Sequence, residues 1–165
     1  METHAKNKRT LVIGLGNSLI GDDAFGSNVV ERLRSGVPNA LPHAELVDAH
    51  TDLLGLIDRF PTYERVVLVD AILDPAEKLG GPGSVVLVDE ESMVAWSEAS
   101  PSAHQFSPLL AVRLFRSLNP FATTRIFLVG LCVDRLALPS AANAGCCALN
   151  EEAVTTAAVM VRELL

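Results

Sequence analysis

Short aliphatic runs alternate with amphipathic stretches along this chain. The aliphatic runs are continuous rather than alternating with polar residues, and they are rich in β-branched side chains. Both features are typical of strands that are buried on both faces of a parallel sheet. The runs predict five strands, at Thr10 to Leu15, Ala44 to Asp48, Arg65 to Asp70, Ser84 to Val88 and Arg125 to Leu131.

The stretches between the runs carry helix signals. The first has Phe25, Val29 and Leu33 at a spacing of four, which predicts one apolar helix face. Ser107-Pro108 has the composition of an N-cap followed by the first residue of a helix, and Pro61 stops a helix that begins at Leu53. The predicted helices are Ala24 to Arg34, Leu53 to Phe60, Pro108 to about Leu118, and Asn150 to Leu165.

The alternation of strands with helices predicts the fold class. It indicates crossover units and therefore a three-layer α/β/α domain with a five-stranded, mostly parallel, twisted sheet. The short second strand could instead run antiparallel at an edge. We expect residues 1–9 to form a flexible N-terminal tail and residues 10–165 to form a single domain.

Composition and charge exclude several functions. The chain has 165 residues, 49% of them hydrophobic, and a net charge of −7. An acidic chain has no electrostatic attraction for polyphosphate, so we expect no nucleic-acid partner. No segment is long and apolar enough to span a membrane, and the run Leu11 to Ile20 is interrupted by glycine and asparagine. The three cysteines, Cys132, Cys146 and Cys147, form neither a disulfide framework nor a common zinc motif, which favours a cytoplasmic protein.

The turn after the first strand has the sequence Gly14-Leu15-Gly16-Asn17-Ser18-Leu19-Ile20-Gly21-Asp22-Asp23. Its Gly-x-Gly start resembles a dinucleotide-binding turn, but Leu19 occupies the place of the third glycine. The next helix opens with two carboxylates, which would repel a phosphate, so we expect no nucleotide. The two acids are either helix N-caps or ligands for a cation.

Two acids and one histidine are expected at the same edge of the sheet. Asp23 follows the first strand, Asp70 closes the third, and His104 lies in a loop that leads into a helix. Ligands of open parallel sheets bind beyond the carboxyl ends of the strands. Asp23, Asp70 and His104 are therefore candidate ligands for Ni, Zn, Fe or Mn. The alternatives are that the acids are caps and that His104 is a solvated loop residue.

Other catalytic groups have weaker support. Ser18 is not in the Gly-x-Ser-x-Gly turn of serine hydrolases. Cys132 follows the predicted fifth strand and could act as a nucleophile with His104, although a small buried thiol is the commoner situation.

The motifs together resemble those of a known family. The run Gly14 to Gly26 resembles the opening motif of the hydrogenase maturation proteases, and Val66 to Ala71 resembles their second motif. Gly81 to Val85 is similar to their glycine turn, and Ser100 to Gln105 is similar to their histidine motif. The resemblance extends from about residue 10 to the last helix.

The resemblance implies an endopeptidase of aspartic type that removes a C-terminal extension from the precursor of a nickel–iron hydrogenase large subunit. It implies that Asp23, Asp70 and His104 are the catalytic and metal-contacting residues, and that nickel arrives inside the precursor. Two departures are visible. Ser102 and Ala103 separate His104 from a proline that the family commonly places directly before its histidine. Ala49-His50-Thr51 replaces the Gly-Gly-Thr that often follows the second strand, so His50 either reaches the site or lies on the surface.

A non-catalytic chaperone for nickel or for the precursor, built on the same fold, is the alternative, because fold alone does not determine function. A protease would shorten the precursor irreversibly, whereas a chaperone would leave its mass unchanged.

Overall fold

Five strands form one sheet in the computed structural model, which describes residues 9–19, 21–36, 41–74, 76–98, 108–133 and 151–165. Each predicted strand is present, and the differences are confined to strand ends. The strands are β1 (Thr10–Leu15), β2 (Ala44–His50), β3 (Arg65–Leu73), β4 (Val85–Asp89) and β5 (Arg125–Val133).

The strand order is β2-β1-β3-β5-β4, and every neighbouring pair is parallel except β4 with β5. The second strand does lie at an edge, but the antiparallel alternative for it is wrong, because a helical crossover returns the chain to the edge where β1 began. The antiparallel strand is β4 instead. A loop without a helix connects β3 to β4, so β4 starts at the edge where β3 ends.

Four α-helices and two 3₁₀ helices accompany the sheet in the described part of the chain. They are α1 (Phe25–Arg34), α2 (Glu90–Glu98), α3 (Pro108–Leu118) and α4 (Glu151–Glu163), with 3₁₀ helices at Gly21–Ala24 and Leu54–Thr62. The pattern of the sequence did not predict α2, whose apolar residues do not repeat along one face. The helix expected to end before Pro61 continues to Thr62, since the Tyr63 N–H bonds to the Phe60 carbonyl across the proline.

Helices cover both faces of the sheet, which confirms the three-layer α/β/α architecture. One apolar cluster joins the sheet to the second 3₁₀ helix, α2 and α3 through side chains such as Phe60, Met93 and Phe115. A second joins the opposite face to α1 and α4, through residues such as Phe25 and Ala157. Aliphatic side chains dominate both clusters, as the low aromatic content predicts.

Strands β3 and β5 run further than their sequences indicate. Their pairing continues through Asp70 with Gly130 and Ile72 with Cys132 to Leu73 with Val133. Asp70 therefore lies inside β3 rather than at its last position, with strand on both sides. Among the described residues, no helix combines the length and apolar character needed to cross a bilayer.

Candidate active site

The glycine turn after β1 brings Asp23 to the end of the sheet. Gly16 has a φ of 109°, and a Cβ built on it would lie 1.8 Å from the carbonyl oxygen of Asp23. Only glycine adopts this conformation and this close approach without strain. The Gly16 N–H also bonds to the His50 carbonyl at 2.7 Å, so the turn lies between the ends of β1 and β2.

Asp22 and Asp23 do not cap α1. Both belong to the 3₁₀ helix Gly21–Ala24, and the N-cap of α1 is Ala24, without a side-chain hydrogen bond. The capping interpretation is therefore wrong. Asp23 instead accepts a hydrogen bond from the Asn17 N–H, with 2.8 Å between that nitrogen and Oδ2. The carboxylate thus closes its own loop and holds its position relative to the strand end.

The structure brings Asp70 and Asp23 within electrostatic reach of each other. Burial raises the pKa of Asp70, and the nearby charge of Asp23 raises it further. A hydrogen bond from the Ala71 backbone acts in the opposite direction, and the resulting pKa is about 7. A carboxyl with this pKa exchanges its proton near neutral pH, which suits a group that accepts and returns protons during a reaction.

His104 lies outside the described residues, as do Cys146 and Cys147. Within the ranges that the structure describes, no group of three or more His, Cys, Asp or Glu side chains is arranged to hold a metal ion. Asp23 and Asp70 supply two carboxylates, which are hard oxygen ligands, and a complete site would need further donors.

A further acid, Asp48, lies near the end of β2, paired with Gly14 just before the glycine turn. Its Oδ1 accepts hydrogen bonds from the Ser27 hydroxyl at 2.9 Å and from the His50 N–H at 3.3 Å. Sequence reasoning treated Asp48 only as the end of a strand. The signal that selected Asp70, an acid where an aliphatic strand reaches this edge, applies equally to Asp48.

His50 lies next to Asp48 in a left-handed backbone conformation, with a φ of 51°. Its side chain is 60% exposed, and its Nδ1 lies 3.6 Å from Asp48 Oδ1. Left-handed φ values are uncommon outside glycine, although histidine is among the residues that adopt them more often. The exposed ring fits the interpretation of His50 as a surface residue, at the margin of the acid-bearing turn.

Cys132 is a poor nucleophile here. It lies inside β5 rather than after it, and its side chain is fully buried. Burial raises the pKa of the thiol to about 11, and the charge of Asp74 contributes in the same direction. The reactive thiolate is therefore nearly absent at neutral pH, which supports a structural role for this cysteine.

Comparison with known proteins finds that the chain is similar to proteins of hydrogenase maturation. No protein-family model matches the chain. The chain is 28% identical over 129 residues to the hydrogenase 2 maturation protease of Escherichia coli, covering 78% of this chain and 75% of that protein. It is 31% identical over 130 residues to the hydrogenase expression/formation protein HupD of Rhodobacter capsulatus, covering 76% of this chain and 57% of HupD.

A solved structure agrees with these relatives. The hydrogenase maturating endopeptidase HybD of Escherichia coli superimposes with a TM-score of 0.72 at 25% identity. The superposition covers 95% of this chain and 91% of HybD. The similarity therefore extends over nearly the whole α/β/α domain.

Proposed function

This chain belongs to the hydrogenase maturation protease family, and from that premise we propose that it processes a nickel–iron hydrogenase. It would remove the C-terminal extension from the precursor of the large subunit after nickel insertion, in the cytoplasm. The peptidase role follows from its relatives. The cleavage of this precursor, its dependence on nickel and the residues that catalyse it are the parts that we propose.

The coupled pair of Asp23 and Asp70 is the observation that carries the proposal. Burial is the larger cause of the raised pKa of Asp70, and the nearby charge of Asp23 raises it further. Hydrolysis of a peptide bond needs a group that takes a proton from water and later delivers one to the leaving amine. A carboxyl with a pKa of about 7 can do both at the pH of a cell.

We assign the general-base role to Asp70, which makes the mechanism aspartic in type. The ionised form of Asp70 would accept a proton from the attacking water and then transfer it to the leaving nitrogen. Asp23, fixed by its hydrogen bond to Asn17, would orient the water or the precursor and would keep the pKa of Asp70 high. His104 is assigned to the same site through the family resemblance.

Nickel enters this proposal as cargo of the precursor. A divalent ion next to the scissile bond would polarise its carbonyl and favour attack by water. Asp23, Asp70 and His104 would contact that ion and so align the precursor. Two carboxylates and one imidazole lack a thiolate and leave coordination positions open, which suits transient contact better than permanent retention.

The mass of the precursor tests the proposal. The purified protein is incubated with nickel-loaded large-subunit precursor from the same organism, and intact masses are followed by mass spectrometry. We expect a single irreversible loss of a C-terminal peptide. A precursor that binds but keeps its full mass would instead identify the protein as a chaperone.

Matched variants then test the residues. Asp23→Asn and Asp70→Asn keep size and remove charge, and each should abolish cleavage while leaving the domain folded. Asp58→Asn and Glu31→Gln make the same change at exposed positions and should cleave normally, as should Cys132→Ala. Wild-type rates for both Asn variants at the acids would contradict the mechanism, and a folded but inactive Cys132→Ala would restore the thiol alternative.

A further inference from the structure

Leu19 is displayed to solvent on the loop that Asp23 closes. Its side chain is 84% exposed, whereas most large apolar side chains in the described ranges are buried. A single exposed leucine is ordinary on a protein surface. This one is unusual in its position, because it is four residues before a predicted catalytic acid and on the same loop.

Hydrogen bonds fix the loop around Leu19. The Leu19 N–H bonds to the Asn17 side-chain oxygen at 3.0 Å, and the Asn17 N–H bonds to Asp23 Oδ2 at 2.8 Å. Gly16, directly before Asn17, is in contact with the Asp23 backbone. These bonds restrain the backbone of Leu19 next to Asp23 while its side chain stays exposed, which lowers the entropy cost of binding a partner there.

We propose that Leu19 is a positioning residue that docks an apolar side chain of the precursor close to the bond that is cut. This inference rests on the proposed function and names a contact within it. The occupant is the precursor because Asn17 joins the Leu19 backbone to the carboxylate of Asp23, which places the leucine beside the proposed cleavage site. The contact is apolar because the leucine side chain offers only dispersion and removal from water.

The partner of Leu19 carries an aliphatic or aromatic side chain rather than an acidic one. Asp22 and Asp23 follow on the same loop, and their charges would repel a carboxylate brought next to them. An apolar side chain carries no charge and is not repelled. Its contact with Leu19 removes apolar surface of both side chains from water, which favours binding. Leu19 does not touch the reacting atoms, so its contact contributes equally to the bound precursor and to the transition state.

Kinetics of Leu19→Ala test this inference. A contact that stabilises the bound precursor and the transition state equally lowers KM and leaves kcat unchanged. Deleting most of a buried leucine side chain should raise KM for the nickel-loaded precursor about tenfold or more, with kcat within about twofold. Leu19→Met keeps an apolar side chain of similar volume and should restore most of the affinity. Thermal unfolding of both variants should match the wild type, because the side chain is exposed in the free protein.

Phe121→Ala is the matched control. Phe121 is 95% exposed and lies in the turn that precedes β5. It is therefore at the amino ends of the parallel strands, whereas Asp23 lies beyond the carboxyl end of β1. Removing it deletes an exposed apolar group of comparable size far from Asp23, and KM should not change. A KM for Leu19→Ala equal to that of Phe121→Ala would overturn the inference, as would a loss confined to kcat.

Direct binding separates this inference from the proposed function. Affinity of the wild type and of Leu19→Ala for the intact precursor is measured by calorimetry. A wild type that binds but never cleaves would refute the protease function, while weaker binding by Leu19→Ala would still support the contact. Cleavage by the wild type with equal binding by Leu19→Ala would refute the contact alone.

Discussion

At the scale of single residues, Asp70 combines a cost in stability with the chemical role that we propose for it. Its carboxyl is placed inside β3, where hydration is poor, and faces the charge of Asp23. Both factors disfavour ionisation, so the folded protein holds the proton more tightly than the unfolded chain does. Residues that destabilise a fold at one position are often retained because the reaction needs their perturbed pKa.

Asp70→Asn should therefore stabilise the protein at alkaline pH while abolishing cleavage. The pKa of Asp70 is raised from 3.8 to about 7, so its contribution to stability is complete below about pH 4 and is lost as the pH rises to about 7. Asparagine removes this loss, worth at most about 4 kcal/mol for a shift of this size. Urea unfolding at about pH 5 and about pH 8 measures the effect, and the advantage of the variant should be larger at the higher pH.

A variant that is destabilised equally at both pH values would show that Asp70 is not the titrating group. Asp58→Asn, at an exposed position, serves as the control and should shift stability little at either pH.

His50 supports a second prediction at this scale, because its left-handed backbone stores strain that glycine would not have. His50→Gly should leave the free energy of unfolding unchanged or raise it by up to about 1 kcal/mol, the greater freedom of glycine in the unfolded chain offsetting part of the gain. Chemical denaturation measures this. Glu77, with a φ of 50°, is the matched control, and Glu77→Gly should behave alike. A clear loss of stability for His50→Gly alone would mean that its side chain holds the end of β2.

At the scale of secondary-structure elements, a crossing of β1 and α1 positions the acids. A Cβ on Gly14 would lie 2.4 Å from the Gly26 carbonyl oxygen, and one on Gly26 would lie 2.3 Å from the Leu15 backbone. The helix start can therefore lie directly on the strand, where it also approaches the Val69 carbonyl. This close packing places Asp23, two residues before α1, next to the end of β3, and so next to Asp70.

Gly26→Ala should disrupt this contact. The added methyl meets backbone atoms that cannot move aside as a flexible side chain would, so α1 must shift away from β1. We expect a loss of about 2 kcal/mol or more in the free energy of unfolding, together with reduced cleavage by the fraction that stays folded. Gly81→Ala is the control, since its methyl would meet only the end of the Glu77 side chain at 3.9 Å. Equal stability of the two variants would show that the crossing does not determine the position of α1.

At the scale of the whole molecule, the parallel sheet gathers groups that are far apart in the sequence. The carboxyl ends of β2, β1 and β3 are neighbours, which brings Asp48, the glycine turn and Asp70 to one edge. Away from this end of the sheet, Arg116 pairs with Glu90 and Arg59 pairs with Glu45. Asp23, Asp48 and Asp70 thus place three carboxylates at neighbouring strand ends, where a cation that a partner brings could meet them.

Nickel in the precursor should determine whether cleavage occurs. The same enzyme preparation is given apo precursor and nickel-loaded precursor, and cleavage is measured by mass. We expect cleavage of the nickel-loaded form alone, because the ion supplies the contact that aligns the extension with Asp23 and Asp70. Elemental analysis should find the isolated enzyme without stoichiometric nickel. Equal cleavage of both precursors, or tightly bound nickel in the enzyme alone, would contradict this licensing role.

The sequence by itself determined most of the elements and the class of fold. Continuous aliphatic runs predicted the buried strands, and apolar residues at a spacing of four predicted α1. Both patterns indicate which side chains of a local segment become buried. The glycine turn was equally readable, since Gly16 satisfies a local backbone requirement. The same local logic missed α2, whose apolar residues share no single face.

The tertiary structure decided what depends on neighbours distant in the sequence. Pairing with β5 extends β3 beyond Asp70, and the missing helix after β3 makes β4 antiparallel. The raised pKa of Asp70 arises from burial by the surrounding layers and from Asp23, 47 positions earlier in the chain. The role of Asp23 as a loop acceptor rather than a cap also required the folded turn. Burial and electrostatic fields are properties of the assembled layers, so the pattern of one segment cannot specify them.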